Sequence, residues 1–134
     1  MNLRKLATSL SMLVAVAAVV ATMSTRQHAA EETKVLRHVV LFKFADTATA
    51  EQIADVERAF AGLKSEITEI QDFEWGTDNS PEGLAQGFTH CFLVTFKSET
   101  DRDAYLPHAA HQAFVAKIKA VLEKALVVDY WAKS

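Results

Sequence analysis

The sequence predicts an α+β fold with the element order β-α-β-β-α-β. Four stretches, near residues 35–44, 67–75, 88–96 and 126–131, carry the β-branched, aromatic or alternating apolar residues of strands. Two further stretches repeat apolar residues at helical spacing, one after the first strand and one before the last. This order is typical of the ferredoxin-like pattern, a four-stranded antiparallel sheet with helices on one face.

The first strand, residues 35–44, reads VLRHVVLFKF and is apolar on both faces. Side chains alternate between the two faces of a strand, so one face carries Leu36, His38, Val40, Phe42 and Phe44. The other face carries Val35, Arg37, Val39, Leu41 and Lys43. We expect helices to cover the first face and a partner subunit to cover the second, because a small domain has no other layer to offer.

The next elements follow from capping and turn signals. Thr49 precedes Gln52 by three residues, which fits a capping box and starts a helix that runs through Lys64. A strand over residues 67–75 comes next, and the sequence GTDNSPEG at residues 76–83 is dense in turn formers. It predicts a long connection to the third strand.

The third strand, residues 88–96, places a histidine in a row of aromatic residues. One of its faces carries Phe88, His90, Phe92, Val94 and Phe96. Pro107 ends any helix begun at Glu99, and a second helix is predicted over residues 109–124, before the last strand.

The N-terminal residues 1–30 are typical of a signal peptide. Arg4 and Lys5 precede twenty residues, 6–25, that contain no charge and are rich in Ala, Val, Leu and Met. This length also allows an uncleaved membrane anchor. We expect export to the periplasm or out of the cell, with membrane anchoring as the alternative. A linker at residues 31–34 and one domain at residues 35–134 follow.

Composition and motifs exclude several function classes. The net charge is −3 and no basic run occurs, so nucleic acid is not an expected partner. A single cysteine, Cys91, rules out an intramolecular disulfide and is expected as a small core residue. The chain contains neither a glycine-rich phosphate loop nor a Gly-x-Ser-x-Gly motif, so nucleotide binding and serine hydrolysis gain no support.

Four segments resemble the stress-responsive A/B barrel domain family of dimeric α+β barrel proteins. They are RHVVLFKF at residues 37–44, GFTHCFLVTF at 87–96, YLPHAAH at 105–111 and VVDYW at 127–131. The family commonly has His-Pro-Ala-His where this chain has His108-Ala109-Ala110-His111, so the turn that enters the helix is expected to differ slightly. The resemblance implies a homodimer whose two sheets pack back to back into a barrel.

The resemblance also implies candidate site residues. One plant member of the family cyclises a linear polyketide by an intramolecular aldol reaction, although many members have no assigned activity. Its matching residues here are His38, His90, Tyr105 and His111, of which Tyr105 and His111 would be the acid/base pair. An imidazole can remove a proton α to a carbonyl while a phenol holds the enolate oxygen. A helix-start histidine can instead serve as a cap, and a strand histidine can be a hydrogen-bonded core residue.

A metal site is a weak alternative for the histidines. His38, His90, His108 and His111 lack a recognised ligand spacing. If their strands are antiparallel neighbours, His38 and His90 lie on the order of 10–15 Å apart at ~3.4 Å per residue. We therefore expect no metal and no cofactor.

Three functions remain open at this point. The first is a stress-associated protein that binds a small apolar ligand between sheet and helices, in a pocket that includes His38, His90, Phe42 and Phe92. The second is a cofactor-free cyclase or lyase for a β-keto substrate, with His111 as general base and Tyr105 as oxyanion donor. The third, a cofactor-independent monooxygenase, rests only on a shared barrel architecture. An enzyme requires an open cavity at Tyr105 and His111, whereas a structural role requires this space to be filled by phenylalanines.

Overall fold

Residues 34–133 are described by the computed structural model and form one sheet with three helices. The strands are β1 (Leu36–Phe44), β2 (Asp72–Thr77), β3 (His90–Phe96) and β4 (Leu122–Trp131). The helices are α1 (Ala50–Glu66), α2 (Glu99–Tyr105) and α3 (Ala109–Ile118). The sheet order is β2-β3-β1-β4, and each neighbouring pair is antiparallel. The predicted α+β fold with a four-stranded antiparallel sheet is confirmed.

The central strand β1 shows why the sheet has two different faces. Its even-numbered residues from Leu36 to Phe42 are buried, and the odd-numbered residues between them are only half-buried. Phe42 stacks on Phe60 of α1 at 5.9 Å between ring centroids and on Phe114 of α3 at 6.4 Å. The buried side is therefore the helix face of the sheet, and we call the opposite side the outer face.

The core between α1, α3 and the middle of the sheet is largely aromatic. Phe60 packs against Phe92 at 4.6 Å and against Phe114 at 4.5 Å between ring centroids. Each such side chain stabilises the fold by roughly 1.5–3 kcal/mol through removal from water. This part of the interior is filled by phenylalanines.

Helix α1 begins at the predicted capping box. The Thr49 hydroxyl accepts a hydrogen bond from the Gln52 N–H at 3.2 Å, and the Gln52 side-chain oxygen accepts one from the Thr49 N–H at 2.9 Å. Two of the free N–H groups at the helix start are thereby satisfied.

The boundaries of β2, α3 and β4 were predicted wrongly, and β4 begins at Leu122 and not near Leu126. Strand β2 begins at Asp72 and not near Ile67, because the N–H groups of Ile67 and Ile70 bond back to Leu63 and Ile67 in local turns. Helix α3 ends at Ile118, and the Val121 N–H closes a turn onto the Ile118 carbonyl before β4 starts. The apolar side chains at these turns are still buried. They therefore continue the apolar spacing of the neighbouring strand and helix, and the sequence pattern extends both elements too far.

Two further details differ from expectation. Helix α2 is a separate short helix before Pro107, so the element order is β-α-β-β-α-α-β. Cys91 was expected in the core, but it is exposed on the outer face of β3, because its neighbours His90 and Phe92 occupy the helix face. The prediction of a core cysteine is wrong for the single chain.

The predicted signal segment at residues 6–25 lies outside the described residues, as does all of residues 1–30. Within residues 34–133, no helix is long and apolar enough to cross a membrane.

Candidate functional site

A cavity of about 300 Å³ lies between the helix face of the sheet and the helices α2 and α3. We call it the helix-side cavity. Three of its lining residues carry polar side chains, namely His38, Tyr105 and His111. The others are apolar, namely Val40, Phe42, Phe60, Leu106, Phe114, Val115, Ile118, Ala125 and Val127.

The turn between α2 and α3 brings Tyr105 and His111 together. Tyr105 is the last residue of α2, and His108 caps α3 by accepting a hydrogen bond from the Ala110 N–H at 3.1 Å. The capping role considered for His111 therefore belongs to His108. His111 lies on the first turn of α3, with its ring centroid 4.3 Å from that of Tyr105.

The hydroxyl of Tyr105 is the most unusual polar group of the site. The residue is 0% exposed, and the hydroxyl has no hydrogen-bond partner among residues 34–133. Burial raises the pKa of Tyr105 far above its ordinary value, so the phenol keeps its proton. A buried hydroxyl without a partner is costly, and a ligand oxygen in the cavity would satisfy it.

His111 is prepared to act as a base. Its Nδ1–H donates a hydrogen bond to the Leu106 carbonyl at 2.8 Å, which leaves the Nε2 lone pair free. Burial lowers the pKa of His111, and nearby His38 and His108 lower it further, although the Leu106 carbonyl opposes this shift. The ring is therefore neutral near pH 7 and able to accept a proton.

His38 belongs to a chain of polar groups that connects three elements. Its Nδ1–H donates to Asp129 Oδ1 at 2.7 Å, and Asp129 Oδ2 accepts a hydrogen bond from Arg102 Nη1 at 2.9 Å. Arg102 also donates to Asp103 at 3.0 Å. The His38 ring stands edge-on to Tyr105 at 5.8 Å, so this chain ends beside the phenol.

The other two predicted pocket residues lie elsewhere. His90 is buried between Glu57, at 2.9 Å from its Nε2, and the Thr89 hydroxyl, at 2.8 Å from its Nδ1. Phe92 belongs to the aromatic core, and neither residue lines the helix-side cavity. His38 pairs with Val94 in the sheet, four positions from His90, which corresponds to roughly 13 Å along the strand. The histidines therefore form two separate clusters.

Sequence reasoning missed Asp129 and Arg102. The available signal was an acidic residue at a helix-face position of β4, between Val127 and Trp131 in an otherwise apolar alternation. Recognising its partner requires the β1–β4 register, which places Asp129 opposite His38. Across the described part of the chain, no group of three His, Cys, Asp or Glu residues is arranged to hold a metal ion.

The outer face of the sheet carries a second, shallower hollow of about 400 Å³. It is lined by Val39, Leu93, Cys91, Trp75 and Tyr130, together with Glu74 and Gly76. The β4 residues Leu126 and Val128 are 42% and 50% exposed on this face. Such a continuous apolar surface is typical of a protein–protein contact.

Comparison with known proteins places the chain in a family. The stress responsive A/B barrel domain family model matches residues 36–132. The stress-response A/B barrel domain-containing protein HS1 of Arabidopsis thaliana is 39% identical over 95 residues, which cover 71% of this chain and 87% of that protein. Olivetolic acid cyclase of Cannabis sativa is 30% identical over 95 residues, which cover 71% of this chain and 94% of the cyclase.

Two solved structures show the same architecture. Hydroxynitrile lyase from Passiflora edulis superposes with a TM-score of 0.71 and 26% identity, covering 75% of this chain and 95% of the lyase. A dimeric ferredoxin-like protein of unknown function from Thermobifida fusca has a TM-score of 0.63 and 29% identity, covering 74% and 92% of the two chains. With the family match over residues 36–132 and the agreement in fold, the chain belongs to the stress-responsive A/B barrel domain family.

Proposed function

We propose that the chain binds a small neutral carbonyl compound in the helix-side cavity and acts on it as a cofactor-free lyase or cyclase. The observation that carries this proposal is the buried, unpartnered hydroxyl of Tyr105 next to the neutral imidazole of His111. A pair consisting of a fixed donor and a free base is what enolate chemistry requires. A purely structural interior gains nothing from it.

The chemistry follows from the two groups. His111 Nε2 removes a proton from the carbon next to the substrate carbonyl. The electron pair of the broken C–H bond forms a C=C bond, and the π pair of the carbonyl moves onto its oxygen. The Tyr105 O–H donates a hydrogen bond to this developing enolate oxygen. In a cyclase, the enolate carbon attacks a second carbonyl of the same molecule, and the His111 imidazolium returns the proton to the new alkoxide. A lyase runs the same steps in reverse.

The lining of the cavity supports a neutral ligand. None of the described residues that line it is Lys or Arg, so a carboxylate or phosphate would enter without a counter-charge. A volume of about 300 Å³ is at the lower end of small-molecule sites. Both features fit a small β-keto compound with an apolar tail.

Two relatives support this choice over the other functions considered. One is named a cyclase and one a lyase, at 30% and 26% identity respectively. Ligand binding without catalysis, the first interpretation of the sequence, becomes one outcome of the experiment below. The cofactor-independent monooxygenase stays an untested alternative without an observation in its favour.

The experiment measures proton abstraction directly. The wild-type chain is incubated in D₂O with acetophenone and related neutral ketones, and loss of the α-proton signal is followed by NMR. We expect exchange above the buffer rate, and a loss of about 10²–10⁴-fold in His111→Ala, the usual contribution of a general base. Tyr105→Phe is expected to lose a similar factor because the enolate oxygen loses its donor.

The matched control is His108→Asn. It changes the neighbouring histidine, which caps α3 and does not line the cavity, to a residue that also caps helices. His108 only adds to the lowering of the His111 pKa, so at pH 8, where His111 is neutral in both proteins, the exchange rate should equal that of the wild type. Binding without exchange would leave a ligand-binding protein in place of an enzyme, and equal rates in wild type and His111→Ala would refute the assigned base.

We propose further that the chain is a homodimer through the outer face of its sheet. The support is the exposed apolar surface at Leu126 and Val128, and the dimeric state stated for the related Thermobifida fusca structure. The helix-side cavity lies on the opposite side of the sheet, so each subunit would carry its own site.

Export through the segment at residues 6–25 is also a proposal. Its support is the uncharged apolar run behind Arg4 and Lys5. N-terminal sequencing of the protein recovered after expression with its full N-terminus tests it. An intact Met1 on protein recovered from the membrane fraction would favour the anchor instead.

A further inference from the structure

We propose that Arg102 is a positioning residue that keeps His38 neutral and so supplies the helix-side cavity with a second hydrogen-bond acceptor beside Tyr105. The catalytic value of this acceptor rests on the function proposed above, whereas the state of the His38 ring can be measured without any substrate.

The geometry places Arg102 behind the histidine and not in the cavity. Asp129 uses Oδ1 for His38 and Oδ2 for Arg102, at 2.7 and 2.9 Å. The side chains of Arg102 and Asp129 are 22% and 24% exposed, so water screens their interaction only in part. Arg102 does not line the cavity, so its effect on a ligand must pass through Asp129 and His38.

The charges explain what Arg102 does. A carboxylate beside an imidazole ordinarily favours the protonated ring. Here the Arg102 guanidinium bonds to the same carboxylate. Its positive charge already neutralises the partly buried Asp129, so no proton is needed on His38 Nε2. Arg102 also contacts Asp103, but that carboxylate is 64% exposed and therefore well screened.

Among residues 34–133, Asp129 is the only carboxylate that pairs with His38. On the helix face His38 meets Asp129 from β4, Tyr105 from α2 and His111 from α3. Its partner on β3 is the apolar Val94. Tyr105 is neutral, and a second positive ring near His111 would oppose the proton that His111 must accept. The site therefore works best with both imidazoles neutral.

A neutral His38 also defines the ligand more closely. With its Nδ1–H bonded to Asp129, the free nitrogen of His38 is Nε2, which can only accept a hydrogen bond. The cavity then offers one donor, the Tyr105 hydroxyl, and two acceptors, on His38 and His111. This set matches a β-hydroxy carbonyl compound or its enol, whose carbonyl accepts from Tyr105 and whose hydroxyl donates to an imidazole.

The experiment determines which nitrogens of the His38 ring carry a proton. Long-range ¹H–¹⁵N correlation spectra of the labelled chain at pH 7 distinguish protonated from unprotonated imidazole nitrogens. We expect wild-type His38 to show a protonated Nδ1 and an unprotonated Nε2. In Arg102→Met the Nε2 resonance should move toward the protonated position, because Asp129 then faces the ring alone.

Two variants make the result specific. Asp103→Asn leaves the Arg102–Asp129 contact in place and should keep the wild-type spectrum. The double variant Arg102→Met with Asp129→Asn removes both charges at nearly constant shape and should restore the unprotonated Nε2. If Arg102→Met alone does not fold, Arg102→Gln replaces it, because Gln keeps a hydrogen-bond donor for Asp129 but removes the positive charge, and the same shift of Nε2 is expected.

The outcomes separate this proposal from the proposed function. A wild-type His38 already protonated at both nitrogens at pH 7, or an unchanged spectrum in Arg102→Met, would overturn the role of Arg102. If the spectra follow expectation but ketone exchange is absent, the role of Arg102 stands and the enzyme does not. If exchange occurs, Arg102→Met should in addition move the pH profile of the exchange rate, which a loss of packing alone would not do.

Discussion

The phenol of Tyr105 holds a position that costs the protein stability. Its hydroxyl is buried without a hydrogen-bond partner among the described residues, so its removal should relieve the fold of a desolvated polar group. We predict that Tyr105→Phe raises the free energy of unfolding by about 1 kcal/mol in urea titrations, although it should slow the proposed exchange reaction. His108→Asn, which keeps a helix cap and leaves the Tyr105 hydroxyl in place, is the control and should change little. A less stable Tyr105→Phe protein would mean that the hydroxyl has a partner after all.

The protonation of His111 should make the free energy of unfolding depend on pH. The pKa of His111 in the folded chain is lower than in the unfolded chain, so between the two values the unfolded state binds more protons. The contribution of His111 to the free energy of unfolding should therefore fall as pH drops below about 6.5, the ordinary histidine value. His111→Gln should flatten this part of the stability curve, measured by urea titration between pH 7 and pH 5. The same slope in both proteins would contradict the direction assigned to His111.

Site residues could be predicted from the sequence where they stand close together in one short motif. Tyr105 and His111 stand in one short segment, YLPHAAH, and the family resemblance pointed to both. Arg102 and Asp129 are 27 positions apart and meet only because α2 packs beside the end of β4. His90 and Phe92 share the helix face with Phe42, but a shared face does not imply a shared cavity.

At the scale of elements, the start of α1 depends on one side chain. Thr49 provides the hydroxyl of the capping box, and Ala cannot replace it. We predict that Thr49→Ala lowers the free energy of unfolding by about 1 kcal/mol. Thr49→Ser keeps the oxygen and should stay close to the wild type. Chemical denaturation followed by circular dichroism measures both, and an undisturbed Thr49→Ala would show that water replaces the cap.

Element types followed from periodicity, whereas element ends did not. The pattern of β1 was visible because buried and half-buried residues alternate along it. The ends of α3 and β2 were missed because Val121, Ile67 and Ile70 are buried in turns. Burial of a side chain is what periodicity detects, and a turn can bury a side chain as well as a helix can.

At the scale of the whole molecule, the prediction concerns the formation of a dimer. The β4 residue Val128 lies on the apolar outer face and is 50% exposed there. We predict that a fragment covering residues 31–134 has about twice the monomer mass in light scattering, and that Val128→Lys converts it to a monomer because a charge would be buried in the contact. Ala116→Lys, on the exposed side of α3, should stay dimeric. A wild-type monomer at micromolar concentration would exclude this interface.

The two faces of β1 separate the proposed ligand site from the proposed subunit contact within nine residues. His38, Val40 and Phe42 line the cavity, and Val39 and Leu41 alternate with them on the outer face. If both proposals hold, a mutational library built on the even positions would change ligand binding, and one built on the odd positions would change the contact between subunits. Inserting or deleting one residue would exchange the two sets, so it would destroy binding and assembly together.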